Sequence, residues 1–295
     1  MIGIHLLDHL AVAVSVDEGG VVRARVERRA GDDPAGAALA AVADVAPASG
    51  APAIGVAVTN PESPVARGLV ESLKARYTAA LVCERAMASG TAAAVAEAWS
   101  GAARGARDVV YLAVAEHTAA GVVRSGIPLV GAHGRGLAVG WLALNPVERE
   151  DYRRTGCLEA EVAASGIVRR LVWRIKAGDR SRIQDVVADD LTAITIDHVL
   201  DAARAGDGVS ISVMRDTAKY IGMAAANLVV VADPDTLVLG GIMASAADVL
   251  FEPVRTEIAR RLPEPVTTAL KIVAATLGSD AAAIGAARLA AVAVP

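Results

Sequence analysis

Short apolar runs separated by turn residues fill the first third of the chain. The alternation predicts strands that end at Leu7, cover 10–16 and cover 21–26, with a turn at 17–20 before the third. It then predicts one helix within 29–50, a buried strand over 53–58, a helix over 65–77 and an Ala-rich helix over 91–101. The opening strands therefore form a hairpin, which alternating helices and strands follow.

A second block of the same kind begins at Asp108. Residues 109–123 are typical of a hairpin that turns near His117, and a Gly-rich loop follows over 126–140. The charged segment 146–155 is expected to be exposed, and helices are expected to dominate up to residue 227. Buried strands are expected over 228–233 and 235–241, then helices over 254–261 and 281–292. Two blocks of alternating strands and helices favour an α/β fold with two similar halves.

Composition narrows the class of protein. The 295 residues, 54% of them hydrophobic, are enough for two modest domains with their own cores. The net charge of −4 gives no reason to expect nucleic-acid binding, which needs concentrated positive charge. Every apolar stretch meets a charge, Gly or Pro before the ~18 residues of a membrane span, and the first residues lack a basic leader. The two cysteines, Cys83 and Cys157, suit a reducing compartment, so a cytoplasmic protein is expected.

Four motifs carry a resemblance to a known family. They are the ungapped run of Gly121, Gly126, Gly131, Ala132, His133 and Gly134, the segment Gly156, Cys157, Leu158 and Glu159, the pair Gly240 and Gly241, and the closing segment 278–290. With these motifs the chain resembles the ROK family of repressors, open reading frames and kinases. The resemblance implies a two-domain α/β fold of the actin-like, sugar-kinase (hexokinase) type, with a ligand cleft between the domains. It also implies one domain of residues 1–106 plus 279–295, a second of residues 107–278, and a homodimer or larger homo-oligomer.

The phosphate-binding loops of the family differ in this chain. Kinases of the family hold ATP phosphates on two tight loops while a carboxylate accepts the proton of the sugar hydroxyl. The first loop, Gly-x-Asp-x-Gly-Gly-Thr, falls on residues 3–9, with His5 at the Asp position, Asp8 at a loop glycine and His9 at the Thr. The second loop, Gly-Thr-Gly, reads Ala115, Glu116 and His117. Glycines let the backbone approach the phosphates closely, whereas carboxylates repel them.

The catalytic, sugar-binding and zinc positions implied by the resemblance have also changed. Ser89 stands at the position of the catalytic Asp, and its hydroxyl is far too weak a base at neutral pH. The family's Gly-Glu-Ile-Gly-His, which binds sugar and supplies a zinc ligand, falls on residues 137–141 and ends at Trp141. The other zinc ligands fall on 150–157, where only Cys157 survives, and one thiolate does not hold structural zinc. Of the sugar contacts only Glu159 remains.

Several of these residues have two interpretations. Gly240 and Gly241 form either an adenine platform or a strand-to-helix turn that needs small residues. Glu159 is either a ligand contact or a solvated or helix-capping carboxylate. Cys157 is either a small packed residue or a reactive thiol. Trp141 either fills space vacated by zinc and sugar or forms an aromatic wall for a new ligand.

Three of the five histidines, His5, His9 and His117, are expected near one cleft together with Asp8 and Glu116. These residue types suit a divalent transition metal. Alternatively, charges of both signs simply close a cleft that binds nothing.

The leading functional hypothesis is a non-catalytic ROK-like protein, a pseudokinase, that binds a small ligand or a protein partner in a regulatory role and needs no cofactor. The alternative is a glucokinase-like sugar kinase that uses ATP and Mg²⁺ with atypical loops, and a third possibility is a regulatory subunit. Family repressors add an N-terminal winged helix that reads DNA. Because this chain starts at its first strand, we expect no nucleic-acid binding by the protein alone. The short apolar stretches give no reason to expect membrane attachment.

Overall fold

Two β-sheets organise the molecule, and the computed structural model describes residues 1–47, 50–132, 134 and 137–292. The strands are β1 (Ile2–Leu6), β2 (Leu10–Val16), β3 (Val22–Arg29), β4 (Ala53–Val58), β5 (Leu81–Val82), β6 (Met87–Ala88), β7 (Val109–Val114), β8 (Thr118–Arg124), β9 (Ile127–Pro128), β10 (Thr236–Gly241) and β11 (Lys271–Ala274). The helices are α1 (Pro34–Val45), α2 (Pro64–Arg76), α3 (Ser89–Trp99), α4 (Glu150–Thr155), α5 (Cys157–Val162), α6 (Ala164–Lys176), α7 (Ile183–Val186), α8 (Ile196–Arg204), α9 (Gly208–Ala232), α10 (Ile242–Ser245), α11 (Ala247–Arg261), α12 (Glu264–Ala269) and α13 (Ala281–Ala291).

The two sheets share one plan. The strand order is β3-β2-β1-β4-β5 in the first sheet, where β6 also pairs with β4, and β11-β10-β7-β8-β9 in the second. Each sheet contains an antiparallel meander of three consecutive strands, β1–β3 or β7–β9. The first strand of each meander also pairs in parallel with a later strand, β4 or β10. The prediction of an α/β fold with two similar halves is therefore confirmed.

Helices cover the sheets and separate them. Helices α1 and α2 pack on one face of the first sheet through residues such as Val42 and Leu69. Helices α3 and α13 lie between the sheets, where their alanines share a core with Val14 of β2 and Tyr111 of β7. The other face of the second sheet is covered by the helices from α5 to α11. The small side chains of α3 and α13 allow both sheets to pack closely against one helical layer.

Backbone contacts explain why glycine and alanine are frequent around α13. A Cβ atom on Gly3 of β1 would lie 1.7 Å from a carbonyl oxygen of α13, and one on Gly55 of β4 would lie 1.9 Å from another. A Cβ on Gly285 of α13 would lie 1.8 Å from the carbonyl oxygen of Ala92 in α3. No side chain fits in these gaps, so α13 lies directly against its neighbours.

Most predicted elements are present, but residues 228–233 are not a strand. Helix α9 continues through them to Ala232 and ends at Asp233, whose backbone is left-handed. The valine run favours a strand by local propensity, yet Val229 extends the buried face of the helix while Val230 and Val231 are exposed. Tertiary packing overrides local propensity here.

The charged segment 146–155 is largely exposed, as predicted, but it contains α4. The side chain of Tyr152 in this helix is buried, which the charge pattern did not indicate.

The predicted division into residues 1–106 plus 279–295 and residues 107–278 stays a prediction, although α13 contacts β1 and β4 of the first sheet. Within the part of the chain that the structure describes, no helix combines the length and the apolar character needed to cross a bilayer.

Candidate functional site

Two hairpin tips, one from each sheet, face each other. The β1–β2 turn is closed by a backbone hydrogen bond and leaves Asp8 and His9 at its tip. The β7–β8 turn is closed in the same way and leaves Glu116 and His117 at its tip. These are the two turns that the family resemblance equates with phosphate loops.

Histidine–carboxylate pairs link the two tips. The Nε2 of His117 lies 3.1 Å from Oδ2 of Asp8, within hydrogen-bond distance. The Nδ1 of His9 lies 3.6 Å from Oε2 of Glu116. Both side chains of the second pair are 64% exposed, so its contribution to stability is small. The structure thus brings together four of the residues predicted to share a cleft.

Glu159 makes a third contact with the same tips. Its Oε1 lies 2.8 Å from Nδ1 of His117, and its Oε2 accepts hydrogen bonds from the amide of Thr118, at 2.7 Å, and from the hydroxyl of Thr118. Only 15% of the Glu159 side chain is exposed, so its interpretation as a solvated carboxylate is wrong. Its carboxylate instead fixes the start of β8.

The electrostatics of His117 follow from its two carboxylate neighbours. Burial lowers the pKa of His117, but hydrogen bonds to Glu159 and Asp8 outweigh that effect and raise the pKa above its ordinary value. A protonated imidazole donates from both ring nitrogens, which suits a ring held between two acceptors. When His117 is protonated, the bridge from Asp8 through His117 to Glu159 is therefore a charged contact between the two hairpins.

A second histidine lies beside the position of the missing catalytic Asp. The Nε2 of His5, on β1, is 2.9 Å from the hydroxyl oxygen of Ser89, the first residue of α3. Burial lowers the pKa of His5 to about 4, against the opposing effect of the Asp280 carboxylate. His5 is therefore neutral at pH 7, and its Nδ1 has no hydrogen-bond partner among the described residues. A neutral, weakly basic imidazole and a hydroxyl stand where the family has carboxylates.

The tips do not fit ATP phosphates in the way that glycine loops do. Asp8 and Glu116 place carboxylates at both turns, and His117 is already bonded to Asp8 and Glu159. A nucleotide phosphate approaching these turns meets negative charge and an occupied imidazole.

The same residues do not fit a metal ion. Over the described ranges, no three His, Cys, Asp or Glu side chains are arranged to hold one. His5 contacts Ser89, whereas His9 and His117 contact different carboxylates, so the three histidines have no common centre. The zinc implied by the family resemblance has no fitting set of ligands here either, since Cys157 is buried in a small apolar cluster with Tyr152.

The remaining predicted residues have packing explanations. A Cβ on Gly240 would lie 2.5 Å from the hydroxyl of Tyr111, and one on Gly241, with φ of +64°, would lie 1.9 Å from a backbone oxygen of β7. The turn into α10 therefore requires glycine at Gly241, and the ring of Tyr111 favours a small residue at Gly240. Trp141 is 59% exposed, so it does not fill the space of zinc and sugar, and that interpretation is wrong. His133 of the family motif lies outside the described residues.

Sequence reasoning missed the buried carboxylate of Glu161. It accepts a hydrogen bond from the hydroxyl of Tyr152 and lies 3.3 Å from guanidinium nitrogens of both Arg149 and Arg170. The only signal was its place two residues after Glu159 on a short helix, and such a Glu is usually exposed. This network braces the segment that the resemblance equates with the zinc loop.

Comparisons with known proteins agree with the resemblance. A glucokinase of Halalkalibacterium halodurans is 30% identical over 195 residues, which are 65% of this chain and 59% of the relative. An N-acetylglucosamine repressor of Escherichia coli O157:H7 is 28% identical over 220 residues, 74% of this chain and 52% of the relative. The chain thus spans between half and three fifths of these relatives.

Solved structures show the same architecture. A ROK family glucokinase from Streptomyces griseus, in complex with glucose and AMPPNP, superposes with a TM-score of 0.82 over 98% of each chain at 22% identity. A ROK hexokinase from Thermus thermophilus gives 0.72 at 25% identity, over 97% of this chain and 96% of that one. The predicted two-domain actin-like sugar-kinase fold is confirmed. Because the ROK family model also matches residues 33–293, most of its length, the chain belongs to the ROK family.

Proposed function

We propose that this ROK protein is non-catalytic and acts by binding a small ligand or a protein partner in a regulatory role. The observation that supports this proposal is the contact from Asp8 through His117 to Glu159. It joins the two turns between which a kinase of this family holds phosphate. It also engages Glu159, which the resemblance identifies as the remaining sugar contact.

The chemistry at Ser89 supports the same proposal. A sugar hydroxyl needs a base to accept its proton, and losing a positioned base typically lowers the rate by ~10²–10⁴-fold. The Ser89 hydroxyl cannot act as that base at neutral pH. Passing the proton on to His5 gains little, because burial holds the pKa of His5 at about 4. The carboxylates of Asp8 and Glu116 add repulsion toward the transferring phosphoryl group.

The alternative is an ATP-dependent sugar kinase with atypical loops. It is favoured by the sequence similarity to glucokinases, which reaches 30% identity over 195 residues. In that case the hairpin tips separate to admit nucleotide and Mg²⁺, and a proton acceptor other than Ser89 is required.

A coupled ADP-release assay over hexoses and N-acetylated amino sugars separates the two proposals. We expect no sugar-dependent turnover from the wild-type protein or from Ser89→Asp, because one repair leaves both phosphate turns unchanged. Sugar-dependent turnover by the wild-type protein that disappears in a Glu159→Gln variant would refute the non-catalytic proposal and establish the kinase.

Thermal-shift measurements address binding without requiring turnover. ATP, ADP and common sugars are tested with and without Mg²⁺, since a ligand that binds only the folded state raises the melting temperature, and the increase grows with the logarithm of the ligand concentration above its Kd. We expect no joint stabilisation by nucleotide and sugar, and such stabilisation would favour the kinase. Co-purification from the native host tests the further alternative of a regulatory subunit.

We further propose that the protein forms a homo-oligomer, does not bind DNA by itself and is located in the cytoplasm. Similarity to repressors makes the DNA proposal worth testing directly. Light scattering at micromolar concentration gives the oligomeric state, and a monomer would count against the proposed homo-oligomer. A salt-resistant, sequence-dependent mobility shift would overturn the second.

A further inference from the structure

A groove on the outer side of the second sheet's helices shares no lining residue with the cleft. It has a volume of about 750 Å³ and is lined by residues of α4, α6 and α9 and by the ends of neighbouring segments. That volume lies in the range of small-molecule sites, roughly 300–1,000 Å³. The groove is therefore large enough for a ligand of the size of a sugar phosphate.

The groove is positively charged although the whole chain is negative. Its basic residues are Arg149, Arg169, Arg170, Lys219 and Arg261, and its acidic residues are Asp151, Glu161 and Asp216. Five positive and three negative groups line the groove, and Glu257, which is not a lining residue, pairs with Arg261, so the local net charge is +1, against −4 for the chain. An anion is the complementary ligand.

At the floor of the groove, formed by Glu161 and Arg170, positive charge also exceeds negative charge. The buried carboxylate of Glu161 is shared by two guanidinium groups, those of Arg149 and Arg170, each at 3.3 Å. Asp216 also acts on Arg170 at longer range, but Glu161 is the one carboxylate in ion-pair contact with both guanidinium groups. The Nε of Arg170 has no acceptor among the described residues. Burial lowers the pKa of Arg170 against the opposing effects of Glu161 and Asp216.

The rim offers further donors that a ligand can recruit. Arg169 pairs with Asp151 at 2.8 Å and Lys219 with Asp216 at 2.9 Å, and all four side chains are well exposed. Exposed pairs of this kind are worth little, so exchanging the carboxylate for another anion costs little. Trp173, 69% exposed, lies one helical turn from Arg169 on α6 and presents an apolar surface at the edge of the groove.

We propose that this groove binds a small phosphorylated molecule. The phosphate lies between Arg149 and Lys219 above the Arg170 floor, where guanidinium forks and an ammonium match its oxygens. The organic part of the ligand lies against the indole of Trp173. This proposal is independent of the non-catalytic proposal for the cleft, because the two sites have no residue in common.

Tryptophan fluorescence provides the test. Glucose 6-phosphate, inorganic phosphate and glucose are titrated separately into wild-type protein and into Trp173→Phe, which retains Trp99 and Trp141. We expect a saturable change with the phosphate ester, weaker binding of inorganic phosphate and no change with glucose. The change should be absent in Trp173→Phe. Binding of inorganic phosphate as tightly as the ester would overturn the role given to Trp173.

Arg149→Gln and Arg153→Gln form a matched pair of variants on the same segment. Arg149 lines the groove, whereas Arg153 is exposed on α4 and pairs with Glu148 away from it. Losing a charge-assisted hydrogen bond predicts roughly 10-fold or greater weakening for Arg149→Gln and no change for Arg153→Gln. Circular dichroism verifies that both variants fold.

Three results would overturn the proposal. One is no saturable change with either phosphate compound at millimolar concentration. Another is equal weakening by both arginine variants, which indicates non-specific attraction to a positive surface. The third is protection of Trp173 from acrylamide that grows with protein concentration and does not respond to phosphate, which makes the groove a contact between copies of the chain.

Discussion

Replacing His5 by glutamine tests whether its burial makes the first sheet sensitive to acid. Burial lowers the pKa of His5 from 6.5 to about 4. An unfolded chain takes up this proton near pH 6.5, so between the two values the unfolded state binds more protons than the folded state. The stabilisation associated with neutral His5 is therefore complete above pH 6.5 and is lost as the pH falls toward 4.

The magnitude follows from the two pKa values. Between pH 7 and pH 5, His5 alone lowers the free energy of unfolding by about 2 kcal/mol, and by pH 4 by about 3 kcal/mol. Glutamine does not titrate, and its amide remains able to reach the Ser89 hydroxyl. The loss of stability in His5→Gln over the same interval is therefore smaller than in the wild-type protein by about 2 kcal/mol.

Urea denaturation followed by circular dichroism at both pH values measures this difference. His9→Gln is the control, because His9 lies on the same hairpin but is exposed. If the free energy of unfolding falls by the same amount between pH 7 and pH 5 in the wild-type protein and in His5→Gln, the reasoning is refuted. An NMR titration that places protonation of His5 above about pH 6 would do the same, since it removes the proton difference between the two states.

Gly3→Ala is expected to prevent stable folding, because its Cβ would overlap a backbone oxygen of α13. Gly68→Ala, at an exposed helical position with open space, should raise the free energy of unfolding by about 0.5–1 kcal/mol. Thermal melts check both, and a Gly3→Ala protein of wild-type stability would contradict the packing described. Glu161→Gln should lower the free energy of unfolding by about 3–5 kcal/mol, because two guanidinium groups lose their carboxylate. Glu150→Gln, at an exposed position, should change it by no more than about 0.5 kcal/mol. Urea titrations measure both free energies of unfolding, and similar values for the two variants would show that the Glu161 network contributes little to stability. His117→Gln should lower stability near pH 6 by about 0.5–1 kcal/mol, discounted for exposure, and the difference should fade as the pH rises through the raised pKa of His117. A difference that does not depend on pH would exclude the charged bridge.

The hydrophobic pattern predicted the fold well because the central strands β1, β2, β4, β7 and β10 are largely apolar and buried. β2 and β4 were predicted with the bounds they have, since turn residues delimit both runs. The failure at 228–233 has the opposite cause. Three successive valines favour a strand locally, but the long apolar face of α9 packs against α11 and keeps the chain helical.

The candidate site was predictable only in part. Sequence placed Asp8, His9, Glu116 and His117 on two hairpin turns, and topology explains why they meet. Which histidine contacts which carboxylate could not be predicted, because that choice depends on distances of a few tenths of an ångström, which no sequence pattern contains. The groove was missed entirely, since its basic residues are scattered over helices that converge only in the folded chain.

The position of α13 has a consequence for the order of events during synthesis. The helix lies directly against β1 and β4, yet Val58 and Ala281 are 223 positions apart. At typical translation rates the ribosome needs roughly 10–45 s to cover that distance. Throughout this interval, one face of the first sheet lacks its covering helix and exposes glycine backbone and small apolar side chains. A chaperone that binds nascent chains has its longest opportunity there, and α13 completes the first sheet long after the strands of that sheet have emerged.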